Sequence, residues 1–338
     1  MSNLLALCGN DRMFSHSTLW NHALVAHCEQ QGIPFEVLDP YRPDIITQLD
    51  RFQTLIWPIQ NYVWADIMQA RSILLAAVQK GLDVFPDHGT IWHFDDKIAQ
   101  MYALQAIQAP IPRSWVFYLQ DDCLQWLEHE ARYPLVAKLR NGSGSSNVKL
   151  LKTAEQAKRY ARRMFGKGFD PSPSLLYKAY SKAQSSRDWK TALSRIKRIP
   201  EFLQTLSHAK KFPMEKGYCY FQEFVPNQGF DIKVAVVGKK LSYFARHIRK
   251  GDFRASGGGD FFYDHELIND SLRRTAFEVS RQFNMQCMGF DFVVDQTTGQ
   301  ALIVEMCYGF DWEAVFGAGC WWDEEGNRHD EPLHVPVE

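Results

Sequence analysis

The feature that most restricts how this chain can fold lies near its C-terminal end. Residues 289–295 (Gly-Phe-Asp-Phe-Val-Val-Asp) and 301–307 (Ala-Leu-Ile-Val-Glu-Met-Cys) both have strand composition, and Thr298-Gly299 between them is a hairpin signal. A hairpin centred on Thr298 sets Asp291 directly opposite Glu305, with Cβ atoms about 5 Å apart. Two carboxylates facing each other within apolar strands repel unless a cation or a proton lies between them. Neither strand carries a lysine to pair with them. The sequence therefore predicts that without metal the two acids repel, and that neutralising one of them stabilises the metal-free protein. Mg²⁺ suits the pair as a hard ion held by one or two carboxylates plus substrate phosphates.

The rest of the chain reads as units placed before and around this hairpin. Residues 1–95 alternate short apolar runs at 4–8, 35–38, 54–58 and 82–85 with amphipathic stretches at 22–31 and 66–80. Gly32 and Gly81 stand where helix C-caps belong, so this is a small parallel α/β unit. Its first turn, Gly9-Asn10-Asp11, lacks the Gly-x-Gly-x-x-Gly of a dinucleotide fold. After Asp95-Asp96-Lys97 a helical pattern runs to Ile107, and Ala109-Pro110-Ile111-Pro112 breaks it ahead of a strand at 114–118. Residues 166–216 form a basic, proline-punctuated insertion, with helices expected at 189–196 and near 201–206. Strands resume at Tyr218 and are joined by an amphipathic helix over 271–283. The expected domains are 1–95, 96–221 and 222–338.

Charge is segregated along the chain. The formal net charge of −1 divides into −5 for residues 1–95, +12 for 96–216 and −8 for 217–338. A basic middle suits an anion such as a nucleotide, and an acidic C-terminal third suits a metal. Nucleic acid is disfavoured as the partner, because basic runs such as 157–167 follow a helical period and read as solvated helix faces. The longest apolar run, 73–78, is far short of the roughly 20 residues that span a bilayer. Seven scattered cysteines without a Cys-x-x-Cys pair fit neither a disulfide framework nor a zinc ribbon, and point to a reducing cytoplasm.

Several motifs can carry chemistry. Residues 134–139 read as an apolar strand containing Lys138, whose buried ammonium calls for an anionic partner. Asn141-Gly142-Ser143-Gly144-Ser145-Ser146 follows, a small-residue turn able to lay backbone N–H groups over phosphates. It is not a Walker A loop, because no Gly-Lys-Ser/Thr follows. Farther along come Gln222-Glu223-Phe224-Val225-Pro226, Asp231-Ile232-Lys233-Val234, and Arg246, Arg249 and Arg254 around a glycine cluster at 257–259. Arginines on such a loop can clamp an anion.

In this linear order the motifs resemble the ATP-grasp superfamily, nearest to the ribosomal-protein glutamate ligase and glutathione synthetase branch of carboxylate-amine ligases. The resemblance covers roughly residues 95–310. It implies a mixed α/β and α+β chain, with two α+β lobes gripping ATP behind a small parallel α/β domain. It also assigns Lys97 and Lys138 to the phosphates, the Gly142, Ser143, Gly144, Ser145 and Ser146 loop to a lid, and Glu223, Phe224 and Val225 to an adenine-binding hinge. Asp231 would accept the ribose hydroxyls, Arg246 and Arg254 would serve the γ-phosphate and acyl phosphate, and Asp291 and Glu305 would hold Mg²⁺. Relatives in this branch carry asparagine at the position of Cys307, and a thiol is a poor magnesium ligand; Ser256 likewise replaces a usual asparagine. The implied activity is ATP- and Mg²⁺-dependent joining of a small-molecule carboxylate to an amine, by a cytoplasmic protein with no membrane span that can form a homo-oligomer. A grasp-type kinase and a nucleotide-binding regulator without catalysis are the alternatives. The Trp-rich tail after Cys307 is similar to that of bacterial grasp proteins associated with surface-polysaccharide assembly, which suggests an amino acid and a sugar acid as substrates.

Overall fold

The computed structural model describes residues 4–9, 18–61, 63–142, 147–171, 212–248, 253–254 and 261–338. The helices expected at 189–196 and near 201–206 lie outside the described residues, as do Ser143 to Ser146, Arg249 and Ser256. Among the described residues no helix is long and apolar enough to cross a membrane.

The first unit is the parallel sheet that its alternating pattern foretold. Strands β1 (Leu5–Cys8), β2 (Phe35–Leu38), β3 (Thr54–Ile56) and β4 (Asp83–Phe85) are ordered β2-β1-β3-β4, all parallel. Helices Thr18–Gln31 and Trp64–Gln79 make the crossovers. Each is followed by glycine at positive φ, +65° at Gly32 and +86° at Gly81, the αL turn that ends a helix most readily when no Cβ is present.

The second sheet is ordered β5-β8-β6-β7 (Ser114–Phe117, Cys219–Glu223, Leu135–Lys138, Val148–Leu151) and is antiparallel throughout. It packs on helices Gln120–His129 and Ala154–Phe165 around Trp126, Leu127, Tyr160, Met164 and Phe221. The second of these helices settles the meaning of one basic run. Ala157, Tyr160, Ala161 and Met164 recur at helical spacing and are buried, while Arg159, Arg162 and Arg163 are exposed. Its cations form a solvated face, and the Thr153 hydroxyl caps its start by accepting from the Gln156 N–H at 3.3 Å.

The third sheet carries the hairpin. Its order is β13-β12-β9-β10-β14-β15 (Ala301–Cys307, Cys287–Val294, Phe230–Val237, Lys240–His247, Trp321–Trp322, Arg328–His329), with β11 (Phe261–Phe262) also paired to β10. Side chains alternate across it. Ile232, Val234, Val236, Phe290 and Phe292 share one core with Leu55, Trp57 and Leu74 of the first unit and with Leu272, Ala276 and Val279 of helix Asp270–Gln282. The opposite face presents Asp231, Lys233, Arg246 and Asp291, and beside them Ala235, Phe244 and Cys287. The tail covers that second group with Phe310, Val315, Leu333 and Val335. Gly289 permits this close approach, because a Cβ there would lie 2.8 Å from Phe310 Cδ1 and 3.0 Å from the Cys307 carbonyl. Trp321 stacks on His329 at 3.8 Å, and Trp322 packs against Tyr243, so both tryptophans are engaged in packing the tail.

Candidate active site

The hairpin pairs Asp291 with Glu305 as expected, although the register beside the turn differs by one residue from one centred on Thr298. Asp291 pairs with Glu305, Gly289 with Cys307, and the register shifts after Asp291 so that Phe292 meets Ile303. The extra residue, Val304, makes a bulge that breaks regular pairing beside the two acids. Its carbonyl accepts a hydrogen bond from Lys138 Nζ at 3.0 Å, across from the second sheet.

The absence of neutralising lysines, expected from the two hairpin strands alone, is corrected by the strands and helix beside them. Lys233, on β9 opposite Asp291, places Nζ 2.6 Å from Asp291 Oδ1. Arg246 on β10 bridges Asp291 Oδ1 at 3.3 Å and both oxygens of Asp231. Lys97, at the start of helix Lys97–Ala106, lies 3.1 Å from Glu305 Oε1. The acids therefore do not repel in isolation. Asp95, Asp231, Asp291 and Glu305 lie among Lys97, Lys138, Lys233 and Arg246, four acids and four bases of which all but Glu305 are buried, and burial pushes the Asp95 carboxyl up to about 7.

Burial and charge pull these groups in different directions. Burial raises the Asp291 carboxyl, but Lys233 and Arg246 outweigh it and hold the pKa below the ordinary value. Asp231, buried and next to Asp291, is pushed up to about 6 despite Arg246. Burial lowers Lys97, yet Glu305 and Asp95 hold it above its usual value. Among the described residues Lys138 has no direct carboxylate partner, and burial brings it down to about 8.

A cleft opens where the second and third sheets meet. Lys97, Lys138, Glu223, Phe224, Val225, Asp231, Arg254 and Glu305 all line it, with Val136 and Val148 from one sheet and Val293 and Val304 from the other. Gly142, Arg246 and Asp291 are not among its walls, and Arg246 and Asp291 are buried beside Asp231. The strand β8 ends at Glu223, and the chain from Phe224 to Gly229 crosses between the sheets. The Glu223 side chain turns outward to Arg113 at 3.0 Å, which leaves the backbone to face the cleft. Arg254 reaches the lining from the glycine-rich segment.

Mg²⁺ can be tested against these donors. Asp291 engages its cations through Oδ1 and Glu305 engages Lys97 through Oε1, which leaves Asp291 Oδ2 and Glu305 Oε2 as hard-oxygen donors on adjacent strands. Among the described residues no cluster of three or more metal-binding side chains exists. The set fits an ion completed by phosphate oxygens and water. Cys307 adds nothing to it. Burial pushes its thiol up to about 12, and Sγ lies 3.6 Å from the Gly309 carbonyl. Cys307→Ser and Cys307→Asn are therefore expected to keep turnover within a few-fold of wild type. A thiol reagent that inactivates stoichiometrically at Cys307, together with loss of turnover in Cys307→Ser, would show the opposite.

Two residues of this cluster, Lys233 and Asp95, were not assigned a role from the sequence. For Lys233 the signal was present, since Asp231-Ile232-Lys233 puts both charged side chains on one strand face.

No family model and no curated protein matches the sequence, whereas solved structures match over nearly its full length. A RimK domain protein ATP-grasp from Sphaerobacter thermophilus is 14% identical, covering 94% of this chain and 95% of its own, with a TM-score of 0.55. D-cycloserine synthetase DcsG is 13% identical with 93% of each chain covered and a TM-score of 0.58. D-alanine–D-alanine ligase from Bacillus anthracis, complexed with ATP, is 10% identical, with 91% and 87% covered and a TM-score of 0.55. With a parallel α/β unit, two antiparallel sheets and a charged cleft between them, the chain has the ATP-grasp fold.

Proposed function

We propose that this protein is an ATP-dependent ligase that joins a carboxylate to an amine through an acyl phosphate. The observation that carries the reading is the convergence of Lys97, Lys138, Asp231 and Glu305 on one cleft with a backbone hinge at its rim, Asp291 lying opposite Glu305 on the next strand. Of the proteins of the same fold, one is a synthetase and one a ligase by name. Val136, Val148, Val293 and Val304 form apolar walls suited to a flat purine, and the backbone from Glu223 to Val225 supplies its polar edge. Lys97 and Lys138 then face the phosphates. Asp231 is tied to Arg246, so a ribose hydroxyl would share a carboxylate already held in place.

The residues imply the following division of labour. A substrate carboxylate oxygen attacks the γ-phosphorus, the bond to the β–γ bridging oxygen breaks, and ADP leaves. Lys97 and Lys138 offset charge on the phosphoryl oxygens, with Arg254 approaching from the glycine-rich segment. Mg²⁺, when bound at Asp291 and Glu305, would supply further neutralisation of the transferring group. An amine then attacks the acyl carbon, forming the C–N bond as phosphate departs and the nitrogen loses a proton. The apolar tail next to the charged row helps keep water from the acyl phosphate. An amino acid and a sugar acid are the substrates we favour, in surface-polysaccharide modification.

A second reading has an observation in its favour: both metal-binding acids are already neutralised by lysines, as a nucleotide-binding regulator without turnover would tolerate. ADP release measured across panels of carboxylates and amines, with product masses, separates these readings. Amide products with one ADP per bond are expected. Phosphorylated alcohols would establish a kinase, and ATP binding without ADP release on any pair would favour the regulator.

A further inference from the structure

Asp95 lies outside the cleft lining, yet it holds the chain on which the cleft depends. Its backbone is left-handed, with φ +52°, a conformation that Asp and Asn adopt more readily than other residues bearing a Cβ. The side chain is buried, its Oδ1 accepts the Gly142 N–H at 2.9 Å, and its Oδ2 has no partner among the described residues. Gly142 is fixed in turn. Its φ is +110°, and a Cβ there would lie 2.2 Å from Asn147 Nδ2.

The Gly142 carbonyl accepts from Lys97 Nζ, so residues 95 and 97 take both polar backbone groups of one glycine. The neighbouring Arg140 carbonyl accepts from the Lys97 N–H at 3.0 Å, and the Arg140 N–H donates to Tyr218 Oη at 2.7 Å. Asn147 Nδ2 donates to the carbonyls of Asn141 at 3.1 Å and Pro171 at 2.9 Å. The acid adds a contact to Gly142 that does not depend on where the Lys97 ammonium points, and in its ionised form it also acts on that ammonium.

We propose that Asp95 is a positioning residue for the nucleotide: it fixes Gly142, and with it Lys97, at the height the phosphates require. The role rests on the ATP-site reading above. It is tested with two variants, using calorimetric titration with a non-hydrolysable ATP analogue, the KM and kcat for ATP, and thermal unfolding. Asp95→Asn keeps an Oδ1 acceptor and tolerates positive φ, so analogue affinity should stay within about threefold of wild type. Asp95→Gly relieves the backbone but removes the acceptor. Its melting temperature should be equal or higher, while affinity falls about tenfold or more and KM rises more than kcat falls. Wild-type affinity in Asp95→Gly, or affinity lost only in proportion to stability in both variants, would overturn the role. If wild type itself bound no nucleotide, the ATP-site reading would fall and take this role with it, an outcome distinct from either of those.

Discussion

Asp291→Asn and Glu305→Gln are each expected to lower ADP formation by on the order of 10³-fold, through loss of charge compensation at the transferring phosphoryl group. What distinguishes the two variants is their effect on stability. Asp291 is 4% exposed and faces Lys233 and Arg246. Removing its charge leaves a buried ammonium without its nearest anion, and breaking such a pair costs about 3–5 kcal/mol. Arg246 keeps Asp231 as a partner, so the lower end of that range applies. Glu305 has a more exposed side chain, 22%, and among the described residues is ion-paired with Lys97 only, so its loss should cost less. Melting temperatures without ligand should therefore fall in the order wild type, Glu305→Gln, Asp291→Asn. An Asp291→Asn protein more stable than wild type would mean that the acids repel after all and that Lys233 does not neutralise them. Near-normal turnover with an unchanged Mg²⁺ dependence in both variants would remove the metal-site assignment.

That reversal of sign shows where reading the sequence stops. The hairpin was legible because a two-strand turn is local, and the pairing of Asp291 with Glu305 was expected; the bulge at Val304 that delivers this pairing was not, because the register beside the turn is one residue off the expected one. Lys233 lies far from them in sequence. Its proximity depends on β9 pairing with β12, a non-local choice that no periodicity within either strand specifies. The parallel first unit was legible for the same local reason, through alternation and the glycines at 32 and 81. The basic run at 157–167 was readable as a solvated face because helical spacing separates Ala157, Tyr160, Ala161 and Met164 from the cations.

Asp95 gave no comparable signal. An acid before an acid-capped helix looks like one more N-terminal charge, and its left-handed backbone and its hold on Gly142 arise only from tertiary packing. Cys307 was legible in chemistry: a thiol is a poor partner for magnesium, and burial confirms that it stays protonated. The tail tryptophans were open to either packing or ligand stacking, and the contacts of Trp321 and Trp322 with His329 and Tyr243 show them packed.

Lys138→Met is expected to separate stability from binding in a way that no ordinary core substitution would. Lys138 is 7% exposed, and its ammonium hydrogen-bonds the Val304 carbonyl, with no carboxylate in contact among the described residues. Burial brings its pKa from 10.5 to about 8, a shift equivalent to roughly 3 kcal/mol of disfavoured charge at neutral pH. Because the folded pKa lies below the unfolded one, the unfolded chain binds more protons between about pH 8 and 10.5. This destabilising contribution is therefore fully present below pH 8 and fades as pH rises through that window. Methionine fills a similar volume without a charge, so Lys138→Met should unfold at an equal or higher temperature at pH 7, the lost bond to Val304 offsetting part of the gain. Nucleotide affinity should move the other way. A phosphate beside Lys138 restores a partner for the ammonium and raises its pKa, so binding takes up a proton once the free protein has lost it. Wild-type affinity for a non-hydrolysable ATP analogue should then be flat below pH 8 and fall by up to about tenfold per pH unit above it. Lys138→Met should bind about 10- to 100-fold more weakly at pH 7, consistent with the loss of one charge-assisted contact, and should show no such slope above pH 8. Titrations at pH 7, 8 and 9 for both proteins test the assignment, and wild-type affinity in a folded Lys138→Met, or an identical slope in the two, would place the phosphates away from this lysine.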